Sequence, residues 1–209
     1  MPVKLDLPAA DLAALLCSKV CHDVISPVGA LNNALELMED AAMGDDAMEL
    51  VRSSARTAST RLQFCRIAFG AAGSAGATID TGDARQVAEA YAEEERPDLV
   101  WNGERMILPK SKVKLLLNLM LLGIASAPRG GTVTVGVEGS QDAPSFSVHA
   151  TGRRIRVPVA FDEMMDGDLP DGGIDAYSVQ AYYTLLLAEE TGMSLATDLG
   201  DEEVTFTAR

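Results

Sequence analysis

The spacing of apolar residues in the first third of this 209-residue chain constrains its fold more than any other feature. From Leu12 onward, apolar side chains recur at steps of three or four, the period of one face of an α-helix. They are Leu12, Leu16, Val20, Val24, Val28, Leu31, Leu35 and Met38. The pattern predicts a helix from about residue 9 to 41, ended by Gly44, with Asp45 and Asp46 supplying the N-cap of the next helix.

A second apolar pattern follows, and it alternates steps of three and four through three heptads. Its members are Met48, Val51, Ala55, Ala58, Leu62, Cys65 and Phe69. This seam predicts that the two helices form an antiparallel hairpin. Two helices cannot enclose a core by themselves, and the small residues Ala55 and Ala58 allow further helices to approach closely. We therefore expect a homodimer in which two hairpins form a four-helix bundle, in preference to packing of the hairpin against the rest of its own chain.

Residues 70–77 are small and indicate a flexible linker, and the pattern changes beyond them. The predicted elements are a helix over 81–96 capped by Thr81 or Asp83, two short strands over 98–108 joined by an Asn102-Gly103 turn, a helix over 110–126, strands over 132–138, 145–150 and 154–158, a helix over 175–190, and strands over 193–199 and 204–208. This order is typical of a two-layer sandwich with helices on one face of a mixed sheet. The predicted fold class is α+β, with a helical-hairpin domain over 1–72 and an α/β domain over 73–209.

Composition excludes several classes of partner and location. The formal net charge is −14 at pH 7, and binding to phosphates needs a cationic surface, so we expect no nucleic-acid or anionic-membrane partner. The N-terminus lacks the basic region of a secretory signal, and the longest apolar stretch, 115–127, is too short and polar-interrupted to span a bilayer. With three cysteines that agree with a reducing compartment, the chain is predicted to be cytoplasmic. No metal site is expected at Cys17, Cys21 and His22, because the last two are sequence neighbours that point about 100° apart on a helix.

His22 is one of only two histidines in the chain, the other being His149. On a helix it lies about 200° from both Val20 and Val24, so it faces away from the apolar stripe. Its neighbours on that outer face are small or polar, namely Ser18, Ser26, Gly29 and Asn33. Another protein therefore has room to approach the imidazole.

Asp23 and Pro27 define the chemical setting of this histidine. The carboxylate of Asp23 can accept a hydrogen bond from Nδ1–H of His22, which leaves Nε2 with a free lone pair. A free imidazole titrates near about pH 6.5 and is mostly neutral at pH 7, so such an Nε2 is available as a nucleophile. Pro27 lacks an N–H and its ring crowds the carbonyl of residue 23, so we expect a bend in the helix beside the histidine.

The segment HDVISPV, from His22 to Val28, resembles the H-box of the dimerisation and phosphotransfer domain of sensor histidine kinases. In that box a histidine, an acid and a proline recur on the first helix of a hairpin, and the helix lengths and the linker of this chain fit as well. Ile25 departs from the box, where a basic residue is common. The rest of the chain resembles the kinase ATP-binding domain in its order of elements.

The nucleotide-binding boxes of that domain are degenerate here. In the segment that resembles the N-box, Asn118 falls on the first asparagine, but Leu122 stands where an Mg²⁺-binding asparagine is expected. In the segment that resembles the first glycine box, Gly152 remains, Ala150 replaces the aspartate that reads adenine, and Arg154 replaces the second glycine. Leucine cannot ligate a hard cation, and alanine cannot accept a hydrogen bond from adenine. We expect a domain that kept its fold and binds no ATP.

An intact H-box beside a degenerate nucleotide site resembles the ChpT-type histidine phosphotransferases. The resemblance implies a homodimer that takes a phosphoryl group onto His22 from the receiver domain of a CckA-like hybrid histidine kinase. It then passes the group to CtrA-like and CpdR-like response regulators that control the cell cycle. The protein needs no cofactor of its own in this scheme, since the partner receiver domain supplies Mg²⁺. The residues leave three alternatives open, which are an ATP-dependent sensor histidine kinase, a dimeric adaptor that is never phosphorylated, and a phosphatase that drains aspartyl phosphate.

The docking surface expected from this resemblance surrounds His22 and extends to the second helix and to a basic segment of the second domain. It is predicted to include Ser18, Lys19, Ser26, Pro27, Gly29, Asn33, Arg52, Arg56, Arg153, Arg154 and Arg156. Arg61 and Arg66 complete a stretch over 50–79 that holds four arginines and no acid. For all of these arginines, solubility and helix propensity are an equally good explanation.

Overall fold

A computed structural model describes residues 3–38, 44–70 and 78–209 of the chain. Two long helices come first, α1 (Ala9–Leu37) and α2 (Gly44–Ala68), and they pack against each other, so the predicted hairpin is confirmed. Gly44, predicted to end the first helix, is instead the first residue of α2. The linker predicted over 70–77 lies, except for Gly70, outside the described residues.

A domain of strands and shorter helices follows the hairpin. Its elements are β1 (Thr78–Asp80), α3 (Thr81–Ala92), β2 (Asp98–Gly103), β3 (Ile107–Pro109), α4 (Lys110–Ser126), β4 (Thr132–Gly139), β5 (Pro144–Thr151), α5 (Val159–Asp166), α6 (Val179–Thr191), β6 (Leu195–Leu199) and β7 (Glu203–Ala208). Strand β1 pairs antiparallel with β3 in a small separate sheet.

The five other strands form a mixed sheet in the order β2-β4-β5-β7-β6. Strands β2 and β4 are parallel, and the remaining neighbours are antiparallel. Buried and partly exposed residues alternate along β4 and β5, because only one face of the sheet is covered, and α4 packs on that face. Phe146, Phe206 and Leu119 are fully buried there. The predicted α+β class and its two-layer sandwich are confirmed.

The two hairpin helices meet along a face rotated from the predicted stripes. The buried residues of α1 are Pro27 and Ala34, whereas Val28 and Leu35 of the predicted stripe are exposed. On α2, Leu62 of the predicted seam is likewise exposed. Small side chains at the contact let the helices approach closely, and Val28, Leu35 and Leu62 are left on surfaces that the described part of the chain does not cover.

One end of the hairpin shares its core with the sheet domain. Phe64, Ile67 and Ala68 of α2 are buried in the same cluster as the α4 leucines, and the Phe64 ring lies 4.4 Å from that of Tyr91 in α3. Val3, before α1, is buried and donates its N–H to the carbonyl of Met164 at 2.9 Å. Packing of the hairpin against its own chain, which we ranked below dimerisation, therefore does occur at this end.

The hairpin turn predicted at Asn102-Gly103 is wrong. Both residues belong to β2 and pair with β4, Gly103 opposite Val137. A Cβ on Gly103 would lie 2.8 Å from the Val137 side chain, so the glycine permits close approach of two strands and makes no turn.

Three further local predictions fail. The strand over 154–158 is irregular chain, because Arg154 takes a left-handed φ of 60° and the N–H of Arg156 donates to the Ser126 carbonyl at 3.2 Å. Helix α5 follows it and was not predicted. The N-cap of α3 is Asp80, whose carboxylate accepts the N–H of Gly82 at 2.8 Å, in place of Thr81 or Asp83.

Candidate functional site

His22 lies near the middle of α1 with its side chain 60% exposed. The α1 face that meets α2 runs through Pro27 and Ala34, and His22 lies outside it, in the orientation that the helical spacing predicts. Ser18, Ser26 and Asn33 are exposed as well. The surface around the imidazole is therefore open to solvent in this chain.

The Nδ1 side of His22 faces a carboxylate that is shared with a lysine. Nδ1 lies 3.7 Å from Oδ1 of Asp23, within the range of an ionic contact but longer than a hydrogen bond. The other carboxylate oxygen, Oδ2, accepts from Nζ of Lys19 at 2.8 Å. Lys19 and Asp23 are thus engaged with each other, and the hydrogen bond predicted between Asp23 and His22 is not formed. Lys19 is half-buried, and its ammonium points to the Asp23 carboxylate.

The Nε2 side of His22 faces Tyr177, a residue that no sequence pattern indicates. The hydroxyl of Tyr177, in the loop before α6, lies 3.4 Å from Nε2. The two rings meet edge to face, with centroids 5.3 Å apart and planes at 73°. The two residues are 155 positions apart in sequence, so no local pattern relates them.

Pro27 and Arg61 together define the backbone next to the histidine. Pro27 has no N–H for the Asp23 carbonyl, and Arg61 of α2 supplies a donor instead, with Nη1 3.3 Å from that oxygen. Nη2 of Arg61 lies 3.4 Å from Glu95, beyond the end of α3. Burial raises the pKa of the Glu95 carboxyl, and the Arg61 guanidinium opposes that shift. Nε of Arg61 is buried without a hydrogen-bond partner among the described residues.

This arrangement changes the predicted docking set. Pro27 is buried on α1 and borders a small cleft between α1 and α2, so it offers a partner little surface, and its assignment to the docking surface stays a prediction. Gly29 is half-buried, but a Cβ there would meet nothing within 4 Å, so its small size is not imposed by this chain. Of the four α2 arginines, Arg61 is the one that reaches the segment around His22.

The remaining predicted docking arginines lie apart from the histidine. Arg52 and Arg56 are exposed on α2, and Arg153, Arg154 and Arg156 are exposed on the loop after β5. Within the described ranges, no hydrogen bond or ion pair joins any of them to His22. The loop after β5 continues to Pro158, which lines a cleft of about 430 Å³ together with Lys19 and Tyr177. Both domains therefore border the same concave surface beside the histidine.

Three positions in the segments that resemble nucleotide-binding boxes are buried in the core of the second domain. Asn118 is fully buried, donates to the carbonyl of Ala68 at 3.2 Å, and accepts from the Gln180 side chain at 3.3 Å. Leu122 and Ala150 are buried apolar residues of α4 and β5. Asn118 thus connects α2 to α6, a structural use of the position that the resemblance assigns to the N-box. Across the described ranges, no group of three or more His, Cys, Asp or Glu side chains could hold a metal ion.

A family model and several known proteins are similar to this chain. The family model for the histidine phosphotransferase C-terminal domain matches residues 81–203. The protein phosphotransferase ChpT of Brucella abortus (strain 2308) is 55% identical over 208 residues, covering 100% of both chains. A solved structure titled as a bacterial phosphotransferase at 1.7 Angstrom is 54% identical, covers 100% of both chains and superposes with a TM-score of 0.93. A histidine kinase domain from Erythrobacter litoralis EL346 blue-light activated histidine kinase is 15% identical, with a TM-score of 0.48 over 88% of this chain and 94% of its own.

Proposed function

The chain belongs to the family of histidine phosphotransferases similar to ChpT, and from this premise we propose that His22 is the residue that carries the phosphoryl group. Proteins of this kind act in phosphorelays whose partners are receiver domains and response regulators. In our proposal the donor is the receiver domain of a CckA-like hybrid histidine kinase and the acceptors are CtrA-like and CpdR-like regulators. The relay then belongs to cell-cycle control and operates in the cytoplasm. The observation that supports the assignment is the exposed imidazole on α1, bordered by both domains.

Transfer through His22 takes place in two displacements. The lone pair on Nε2 attacks the phosphorus of an aspartyl phosphate, an N–P bond forms, and the P–O bond breaks with its electron pair remaining on the donor's carboxylate. The proton on Nδ1 stays in place, where the Asp23 carboxylate, 3.7 Å away, compensates the positive charge of the ring. An aspartate of the acceptor receiver then attacks the same phosphorus and displaces the imidazole. Neutralisation of charge on the phosphoryl oxygens would come from Mg²⁺ held by the partner receiver.

A receiver domain that docks on α1 would meet Ser18, Ser26 and Asn33 around the histidine, and the arginines are proposed to reach its acidic rim. The two arginine groups, Arg52 with Arg56 and the segment from Arg153 to Arg156, are exposed on different domains. Since the overall charge is −14, these local cations give an acidic partner a defined place to bind.

The protein is proposed to be a homodimer joined through the uncovered apolar face of the hairpin. Exposed apolar side chains on this face are Ile25, Val28 and Leu35 on α1, with Leu62 on α2 beside them. Helix α1 is long and apolar enough to cross a membrane by length and composition alone, yet Lys19, His22 and Asp23 lie near its middle. A second hairpin covers the apolar residues and leaves the histidine accessible, whereas a bilayer would bury both.

Dimerisation is tested by charge substitution on this face. Ile25→Asp with Leu62→Asp is expected to convert the dimer to a monomer in light scattering after size-exclusion chromatography, because two carboxylates would be buried unpaired in each protomer's contact. Val159→Asp on α5, which is 65% exposed, is the matched control and is expected to remain dimeric. A wild-type protein that is already monomeric at micromolar concentration would contradict the proposal.

Phosphotransfer is tested with an isolated receiver domain labelled at its aspartate. The wild-type protein is expected to acquire acid-labile label and to pass it to a second, unlabelled receiver. His22→Ala is expected to abolish both steps, and His149→Ala, which removes the other histidine of the chain, is expected to retain them. Label on the wild-type protein from γ-labelled ATP and Mg²⁺ alone would establish a kinase instead. Continued receiver-to-receiver transfer in the His22→Ala protein would establish an adaptor.

A further inference from the structure

The loop before α6 directs Tyr177 toward the histidine, and this loop is fixed by a carboxylate. Oδ1 of Asp175 accepts the N–H of Tyr177 at 2.9 Å, the N–H of Ser178 at 2.8 Å and the hydroxyl of Ser178 at 2.8 Å. The backbone hydrogen bond from Ser178, joined by its hydroxyl, lowers the pKa of Asp175. Ser178 itself is buried at the start of α6. The backbone position of Tyr177 is therefore determined by the core of the second domain.

The Tyr177 side chain, unlike its backbone, is held by few contacts. Its residue is 75% exposed, and the hydroxyl has no hydrogen-bond partner other than Nε2 of His22 among the described residues. The edge-to-face contact limits the orientation of the imidazole ring without enclosing it. A side chain held in this way can turn aside without breaking any other polar contact.

The hydroxyl also acts on the proton of the imidazole. A neutral imidazole carries one proton, and the group that bonds to one nitrogen determines which nitrogen holds it. A phenol that donates to Nε2 stabilises the tautomer with the proton on Nδ1, and the Asp23 carboxylate on the Nδ1 side stabilises the same tautomer. This is the tautomer whose Nε2 has the lone pair needed for attack on phosphorus.

We propose that Tyr177 is a positioning residue for phosphoryl transfer, which sets the tautomer and orientation of His22 in the resting protein and turns aside when a receiver docks. The inference rests on the proposed function of His22 and adds a role for the second domain. Phosphorus must approach Nε2 from the direction that the hydroxyl occupies, so the tyrosine is displaced in each transfer. The domain that resembles a kinase ATP-binding domain thereby acts on the histidine through one side chain.

Tyr177→Phe tests the hydroxyl while retaining the ring. In the unphosphorylated protein, the ¹⁵N chemical shifts of the His22 ring are expected to move toward the tautomer with the proton on Nε2. Because docking has to break the contact between the hydroxyl and Nε2, the half-saturating receiver concentration is expected to fall roughly two- to tenfold, the range of one hydrogen bond, with the rate of transfer at saturating labelled receiver unchanged. Tyr183→Phe, which removes a hydroxyl that contacts Lys114 of α4, is the matched control and is expected to change neither readout.

Two results would overturn the inference. Tyr177→Phe that leaves the tautomer populations and the half-saturating receiver concentration at wild-type values would show that the hydroxyl does nothing to the imidazole. A slower transfer at saturating receiver in Tyr177→Phe would show that the hydroxyl acts in the transfer step itself and is not turned aside by docking. Both results are compared with the labelling of the His22→Ala variant. If that variant loses its label while Tyr177→Phe behaves as wild type, the positioning role alone fails, and if it keeps its label, the proposed function fails.

Discussion

Arg61 supplies the hydrogen-bond donor that Pro27 cannot, and this predicts an energetic coupling between the two positions. Arg61→Met keeps the length of the side chain and removes the guanidinium. The Asp23 carbonyl then loses its partner, at a cost of about 1–3 kcal/mol, and the partly exposed pair with Glu95 adds roughly 0.2–1 kcal/mol. Relief of the buried, unpartnered Nε offsets about 1 kcal/mol of this, so we expect the free energy of unfolding to fall by about 0.2–3 kcal/mol.

Pro27→Ala is expected to change the free energy of unfolding in the opposite direction. It restores an N–H that can donate to the Asp23 carbonyl within α1, and it removes a proline that costs about 3 kcal/mol inside a helix. Loss of two buried methylenes offsets about 1.6 kcal/mol of the gain, so this variant should be more stable by roughly 1 kcal/mol. In its background the Arg61 hydrogen bond is redundant, and Arg61→Met should cost about 1 kcal/mol less than in the wild type.

The coupling is measured by urea denaturation of the four proteins of the double-mutant cycle at 25 °C. Arg66→Met, which changes an exposed arginine near the end of α2, serves as the control and is expected to be additive with Pro27→Ala. If Arg61→Met costs the same in both backgrounds to within about 0.3 kcal/mol, the carbonyl is not what Arg61 stabilises and the reasoning is refuted.

Two further outcomes are expected. The backbone N–H of Ser178 lowers the pKa of Asp175, so the turn that holds Tyr177 is stabilised above about pH 4 and loses that stabilisation as the pH falls through the lowered value. NMR of the Tyr177 amide as a function of pH measures this loss, and an amide signal that shifts near neutral pH would contradict it. Burial raises the pKa of Cys65 to about 11, so iodoacetamide at pH 8 is expected to leave Cys65 of the native protein unlabelled by mass spectrometry, and a label on Cys65 without denaturant would count against a closed core there.

The parts of the fold that the sequence predicts well are those where one local pattern decides the outcome. Helix α4 begins at Lys110 and ends at Ser126, the bounds that its apolar run predicts, because its apolar residues are buried on nearly every side. Along β4 and β5, buried residues alternate with partly exposed ones, the period of a strand with one covered face. In each case burial and local propensity favour the same structure.

Prediction fails where a distant strand or helix overrides the local signal. The dipeptide Asn102-Gly103 favours a tight turn, but its strand is needed beside β4, and the glycine instead makes room for Val137. In the hairpin, period alone does not say which of two apolar faces meets α2, and the small Ala34 decides it by allowing closer approach than Leu35.

The candidate site divides in the same way. His22 is recognisable from its own segment, since the residues that surround it on α1 lie within a dozen positions. Tyr177 and Arg61 come to it from other elements, and neither carries a sequence signal beyond its residue type. Their roles depend on tertiary packing of α2 and α6, which periodicity does not encode.

The core shared by the hairpin and the sheet domain has a consequence for the kinetics of docking. Because Phe64, Ile67 and Ala68 are buried with the α4 residues, the two domains cannot separate at that end without exposing aromatic and aliphatic surface to water. A receiver therefore encounters a hairpin and a sheet domain whose relative position is already fixed, and little conformational entropy is lost on binding. Association should therefore be limited by diffusion and electrostatic steering, and not by rearrangement of the two domains.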